Sequence, residues 1–227
     1  MDYINYNIKE ILIRVLTIIP ALIIHEVSHG FAAYLLGDKT AKRDGRLSLN
    51  PLRHLDPIGT FLIIFFRFGW AKPVMVNPYR MKNPKQDMAL TAAAGPLSNF
   101  LFAFVTVLVF VPICGGIPKI SYLDLFLSGY AALNFKLFIL AFLEMLFIIN
   151  IVLGIFNMIP IPPLDGSKVM SAFLPPSLYF KYINFKYGFV ILVLFVFTGM
   201  TSRILEPFIN MVYSGFMFLA DKIYFFL

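Results

Sequence analysis

The strongest chemical signal in the chain is His25-Glu26-Val27-Ser28-His29, a His-Glu-x-x-His pattern set inside an apolar run. At about 100° per residue on a helix, the two histidines project from one face a turn apart, so both imidazoles can reach a single metal ion. Glu26 lies beside that stripe, placed to contact a water on the metal rather than the metal itself. A zinc ion with three protein ligands keeps one position open and lowers the pKa of a water there towards neutrality. The adjacent carboxylate can then take the proton as the water attacks a carbonyl, which is the chemistry of peptide hydrolysis. On a soluble helix, solvated polar residues would compete well as an explanation. In an apolar run two histidines and a glutamate are expensive to keep, and incidental placement accounts for them poorly.

Two histidines leave such a site one ligand short. The remaining histidine, His54, stands in a polar loop, where a lone histidine is more often a surface or hydrogen-bonded residue, and it is left outside the ligand set. Carboxylates therefore come into consideration. Asp165 follows Pro160, Pro162 and Pro163 in the stretch 157–166, where regular helix is prevented. Broken backbone at membrane depth is tolerated only where it lines protein or a water cavity, so Asp165 is expected at a cavity, with Gly166 letting the chain turn beside it. The competing reading is a purely structural Pro-Asp turn, which would leave the metal without an evident third ligand. Glu144 and Lys136, also inside an apolar stretch, attract the same suspicion. Pairing, or a lysine reaching for the interface, explains them without catalysis.

The elements that must position these residues are membrane spans. The chain has 227 residues, 59% hydrophobic, 17% aromatic and 14% charged, against roughly 45 to 50% apolar and about 25% charged in soluble domains. Its mean hydropathy of +0.82 is not confined to one short segment. A single water-soluble core cannot hide that surplus, and a lone cysteine, Cys114, excludes a disulfide scaffold. Stretches able to cross hydrocarbon, about 20 residues each, lie at 8–36, 88–113, 130–156, 187–199 with its flanks, and 204–226. An all-α polytopic membrane protein with about five transmembrane helices is expected. A further apolar stretch at 58–68 is too short to cross and is expected to be re-entrant or interfacial. Segment 70–79 alternates side chains and is broken by Pro73 and Pro78, which reads as a short strand or β-hairpin. With no basic n-region and no small-residue cleavage site near the start, a removable leader is not expected.

The formal charge of +7 serves topology rather than nucleic acid. Ten of the 19 lysines and arginines fall within 37–87, which the positive-inside rule places in the cytoplasm, while 115–129 holds only Lys119 and is expected outside. Lys181 and Lys186 then fall inside again. The first and third spans both run inward, so His25, His29 and Asp165 can share one level near the cytoplasmic side.

The His25-to-His29 motif, together with the stretch from Asn157 to Gly166, resembles the site-2 protease family of intramembrane zinc metalloproteases, the M50 peptidases. Segments 45–60, 69–79 and 94–99 resemble its compact prokaryotic branch, which lacks a PDZ domain. The similarity covers roughly 8–172, and no part of the chain is long or polar enough to hold a PDZ or CBS domain. The resemblance implies a single integral-membrane peptidase domain over 1–227, with additional C-terminal helices at about 183–226. It implies one zinc ion per chain held by His25, His29 and Asp165, with Glu26 as general base. Asn157 would face the site and steady an oxyanion or hold substrate backbone, with a helix C-cap as an equal reading. Gly95, Pro96 and Asn99 match the family's Gly-Pro-x-x-Asn segment; close helix packing is the plainer reading and substrate contact by Asn99 the sharper one. The substrate would be a transmembrane protein in the bilayer, cleaved in or next to an unwound helix, and 70–79 could add that segment as a strand.

Two other functions compete. A metal-ion transporter would thread ions past His25, His29, Asp165 and Glu144, but transport usually needs polar helices in series, and Glu26 has no ligand role there. A non-proteolytic relative that binds membrane partners is opposed by the intact metal motif.

Overall fold

The computed structural model describes residues 8–66, 69–128, 134–183, 185 and 187–226. Helix α1 (Ile8–Leu35) runs for 28 residues with Pro20 inside it. Gly37 then turns the chain at a φ of 106°, a conformation that side chains rarely adopt. The four-residue α2 (Thr40–Arg43), a 3-10 turn at Pro51–Arg53 and the ten-residue α3 (Pro57–Phe66) follow. Helix α4 (Pro84–Cys114) opens on proline, whose missing N–H would have had no partner there, and stops at Gly115 in the left-handed conformation. Helices α5 (Tyr122–Leu127) and α6 (Phe135–Asn157) start on Ser121 and Asn134, whose side chains accept the N–H groups of Asp124 and Leu137. Beyond them lie α7 (Asp165–Ser171), α8 (Pro176–Ile183), α9 (Gly188–Phe197) and α10 (Met200–Phe226).

Helix α4 is the hub, packing against α1, α6, α7 and α10. Val107, Phe110 and Val111 of α4 interlock with Phe147 and Ile151 of α6 and with Met217 of α10. Lipid tails are as apolar as leucine, so close packing rather than water exclusion holds such helices together. Gly154 shows how close: a Cβ there would stand 2.8 Å from the Phe100 ring. A second cluster of Ile13, Phe126, Leu137 and Ala141 ties α1 to α5 and α6. Glu144, on α6, is used structurally: it accepts the Leu123 N–H at 2.7 Å and the Ser121 hydroxyl at 3.5 Å, holding the first turn of α5.

Three expectations change. Among the described residues α1, α4 and α6 are the helices long and apolar enough to cross a membrane, three where about five were expected. Helix α9 has ten residues, about 15 Å or half the hydrocarbon thickness. Helix α10 has the length, but Arg203, Glu206, Asp221 and Lys222 interrupt its apolar character. The start expected at 130 falls partly outside the described residues, and α6 begins at Phe135.

The expected β-hairpin is absent too. The described residues hold no strand there, and one isolated bridge joins Leu55 to Ala71. Pro73 and Pro78 lack ladder donors, and beyond the Lys72 N–H, which reaches the His54 carbonyl, the main-chain groups of Lys72, Pro73, Val74 and Asn77 are tied to side chains instead. The short apolar stretch after Asp56 is helix α3, packed on α1.

Candidate metal centre

Helix α1 places His25 and His29 on one buried face, with Nε2 atoms 3.0 Å apart. Asp165, the first residue of α7, brings Oδ2 to 3.1 Å from each of them. The turn that delivers it needs Gly166, where a Cβ would overlap the Met158 carbonyl. The other carboxylate oxygen, Oδ1, lies 3.4 Å from Lys168 Nζ.

The outer nitrogens settle what the inner ones can do. Asn99 Nδ2 donates to the Ala21 carbonyl at 3.2 Å and to Asn150 Oδ1 at 2.8 Å, so its own Oδ1 faces His25. His25 Nδ1 therefore donates to Asn99 Oδ1 at 2.6 Å, and His29 Nδ1 donates to the Thr91 carbonyl at 2.7 Å. A neutral imidazole protonated at Nδ1 turns a lone pair outward at Nε2. With both rings neutral, two lone pairs and a carboxylate oxygen converge with no proton between them, an arrangement that a shared cation would stabilise. Their spacing is close to the roughly 3.3 Å between ligands of a tetrahedral ion with bonds near 2.0 Å, and two imidazoles plus one carboxylate make a catalytic zinc set with a position left open. The residues present fit a zinc ion. Gly95 on α4 permits the approach, since a Cβ there would overlap both imidazole rings.

The cluster opens on a cavity of about 410 Å³ whose lining includes Glu26, Val74, Thr91, Asn157 and Lys168. Glu26 stands outside the cluster, and its Oε2 accepts the Val74 N–H at 2.8 Å. Asn157, the last residue of α6, lines the cavity while its Nδ2 donates to the Leu153 carbonyl at 3.0 Å. Asn99 is fully buried behind His25 and is not part of that lining. His54 is also buried away from it, with Nε2 donating to the Ser48 carbonyl at 2.7 Å and its own carbonyl accepting the Lys72 N–H.

Several contributors were not singled out from the sequence. Asn150 was open to the cost argument that picked out the histidines, being polar within an apolar run. Thr91 acts through its carbonyl, which side-chain chemistry cannot reveal. Asp38 and Arg46 hold 72–77 in place: Arg46 donates to the carbonyls of Lys72 and Pro73, and Asp38 Oδ2 accepts the Asn77 N–H at 2.6 Å. Burial alone would push the Asp38 carboxyl up. The Asn77 N–H, the Thr40 hydroxyl and N–H, and the Arg80 charge outweigh it and leave the pKa below its ordinary 3.8.

The profile of Peptidase family M50 matches residues 13–195. YwhC of Bacillus subtilis (strain 168), provisionally named a zinc metalloprotease, is 34% identical over 210 residues, 92% of this chain and 90% of that one. Rip2 of Mycolicibacterium smegmatis is 28% identical over 194 residues, 81% and 66% of the two chains, and MJ0611 of Methanocaldococcus jannaschii 27% over 173, 75% of each. Both carry the same provisional name. No solved structure matches the chain. A match over most of the chain, around a centre whose donors suit zinc and on helices apolar enough for a membrane, is decisive: the chain belongs to peptidase family M50, the site-2 protease family of zinc metalloproteases.

Proposed function

We propose that this protein is a multi-pass intramembrane protease that hydrolyses peptide bonds within or next to transmembrane segments of other membrane proteins, near the cytoplasmic side. The reading rests on one observation: a buried His25-His29-Asp165 cluster of acceptors shares its cavity with Glu26, a carboxylate outside the cluster. When bound, zinc supplies a lowered water pKa and polarises the scissile carbonyl. Glu26 takes the proton of the attacking water at Oε1, because Oε2 is engaged by the Val74 N–H, and returns it to the leaving amine. Asn157 spends one amide proton on Leu153 and offers the second to the substrate oxygen as it becomes negative. Asn99 and Thr91 keep a proton on each Nδ1, so that both Nε2 lone pairs stay turned towards the centre.

A substrate helix must unwind first, since its carbonyls are bonded internally. Residues 73–76 line the cavity and offer main chain along which the unwound segment can lie. Purified protein incubated with a panel of single-span membrane proteins should show cleavage that a zinc chelator stops. Glu26→Gln should retain about one zinc per chain and lose cleavage by a factor of about 100 or more. Normal cleavage by that variant would remove Glu26 from its role, and a panel left uncut would remove the proteolytic reading.

A further inference from the structure

Residues 72–77 run along the cavity as a strap with no strand partner among the described residues, and side chains from elsewhere hold it at both ends. Upstream, the buried Arg46 guanidinium donates to the carbonyls of Lys72 and Pro73. Downstream, the fully buried Asp38 carboxylate accepts the Asn77 N–H at 2.6 Å, and its other oxygen accepts the N–H and hydroxyl of Thr40. Between the two clasps the Val74 N–H reaches Glu26 Oε2 at 2.8 Å. Gly30, one turn beyond Glu26 on α1, seats the strap: a Cβ there would stand 2.9 Å from Leu47 Cδ2 and 3.1 Å from Val74 Cγ1.

Asp38 and Arg46 belong neither to the His-His-Asp cluster nor to the cavity lining. Burying a carboxylate and a guanidinium is costly unless each is hydrogen-bonded. What the two share is the strap. Glu26 has three side-chain torsions, and a base works only with its oxygen in hydrogen-bond reach of the proton it takes. We infer that the Val74 main-chain N–H fixes the Glu26 carboxylate, and that Asp38 and Arg46 are positioning residues which act through it by clamping the two ends of the strap. The inference rests on Glu26 as the base. It adds that one carboxylate oxygen is pinned while the other is left to face the cavity, and that the setting comes from residues outside the centre.

Hydrogen exchange of the Val74 amide in full-length, 15N-valine-labelled protein reads the contact without needing a substrate. Glu26→Leu removes the acceptor and should speed that exchange about tenfold or more. Asp38→Asn has one acceptor oxygen for the Asn77 and Thr40 N–H groups and sets an amide donor against one of them, and Arg46→Met removes the nitrogen that donates to both upstream carbonyls; each should speed Val74 exchange with zinc content unchanged. On a single-span substrate that the wild type cleaves, both should lower kcat by about 10-fold to 100-fold with KM within about twofold, the signature of a lost alignment rather than lost binding. Arg46→Lys, which keeps a charged nitrogen donor on a shorter side chain in place of Nη2, should fall between. Gly30→Ala leaves both clasps intact and adds a methyl against Val74, so it keeps the test open if a clasp variant fails to fold. Unchanged Val74 exchange in Glu26→Leu would overturn the contact. A loss of kcat in Asp38→Asn and Arg46→Met without faster exchange would overturn their action through it. If no substrate is cleaved by the wild type, the proteolytic reading fails, while the exchange experiment still decides whether the strap pins Glu26.

Discussion

Each imidazole of the centre is gripped from behind, and that grip sets which nitrogen faces inward. For His25 the grip is a chain of amides, Asn150 to Asn99 to Nδ1, all buried. Asn99→Leu should therefore lower zinc affinity about 10-fold to 100-fold, the usual effect of losing an outer partner of a metal ligand, as read by competition with a chelating dye. Asn99→Asp still accepts the Nδ1 proton and should retain more of the affinity than Asn99→Leu. Equal losses in the two would mean that Asn99 serves packing alone. The histidines and Glu26 were legible because helical period alone puts them on adjacent faces, and Asp165 because the prolines before it forbid helix. The place of Asn99 was not, since it depends on how α4 is rotated against α1, a matter of packing rather than local pattern.

The elements were legible to the extent that they are self-contained. Helices α1, α4 and α6 follow from apolar runs bounded by caps, prolines and glycines. The strap was misread because its alternation is that of a strand while its hydrogen bonds go to Glu26, Asp38 and Arg46, which lie 26 to 48 residues away in sequence. Asp38 gives this element a pH signature. Its folded pKa lies below 3.8, so the stability it contributes is present in full above that value and is lost as pH falls through the folded pKa. Thermal unfolding of the wild type in detergent should therefore decline with acidification below about pH 4, and Asp38→Asn, which has no such proton to take up, should decline less steeply. Other carboxylates titrate in both proteins, so the difference between the curves is the measurement. Parallel curves would mean that Asp38 contributes no such linkage.

For the whole molecule, composition pointed to lipid as the solvent, and the distribution of basic residues predicts an orientation within it. What composition could not do was count spans, because α9 is apolar but short and α10 long but interrupted by charge. Helix α4 makes orientation testable. Its 31 residues span about 46 Å, more than the roughly 30 Å of hydrocarbon, and separate exposed Lys82 from exposed Lys119. The basic stretch that ends near Lys82 should lie in the cytoplasm, with Lys119 outside. His25 lies ten residues before the end of α1, on the order of 15 Å from that same basic side, so the orientation also sets the face from which water and substrate reach the centre. In a Cys114→Ser background, a cysteine at position 119 should react with an impermeant maleimide on intact cells. A cysteine at position 82 should react only after permeabilisation, and so should one at position 181 beyond α6. Labelling of positions 82 and 119 from the same side would mean that α4 does not cross, and a reversed pattern would turn the cavity beside His25 and His29 towards the outside.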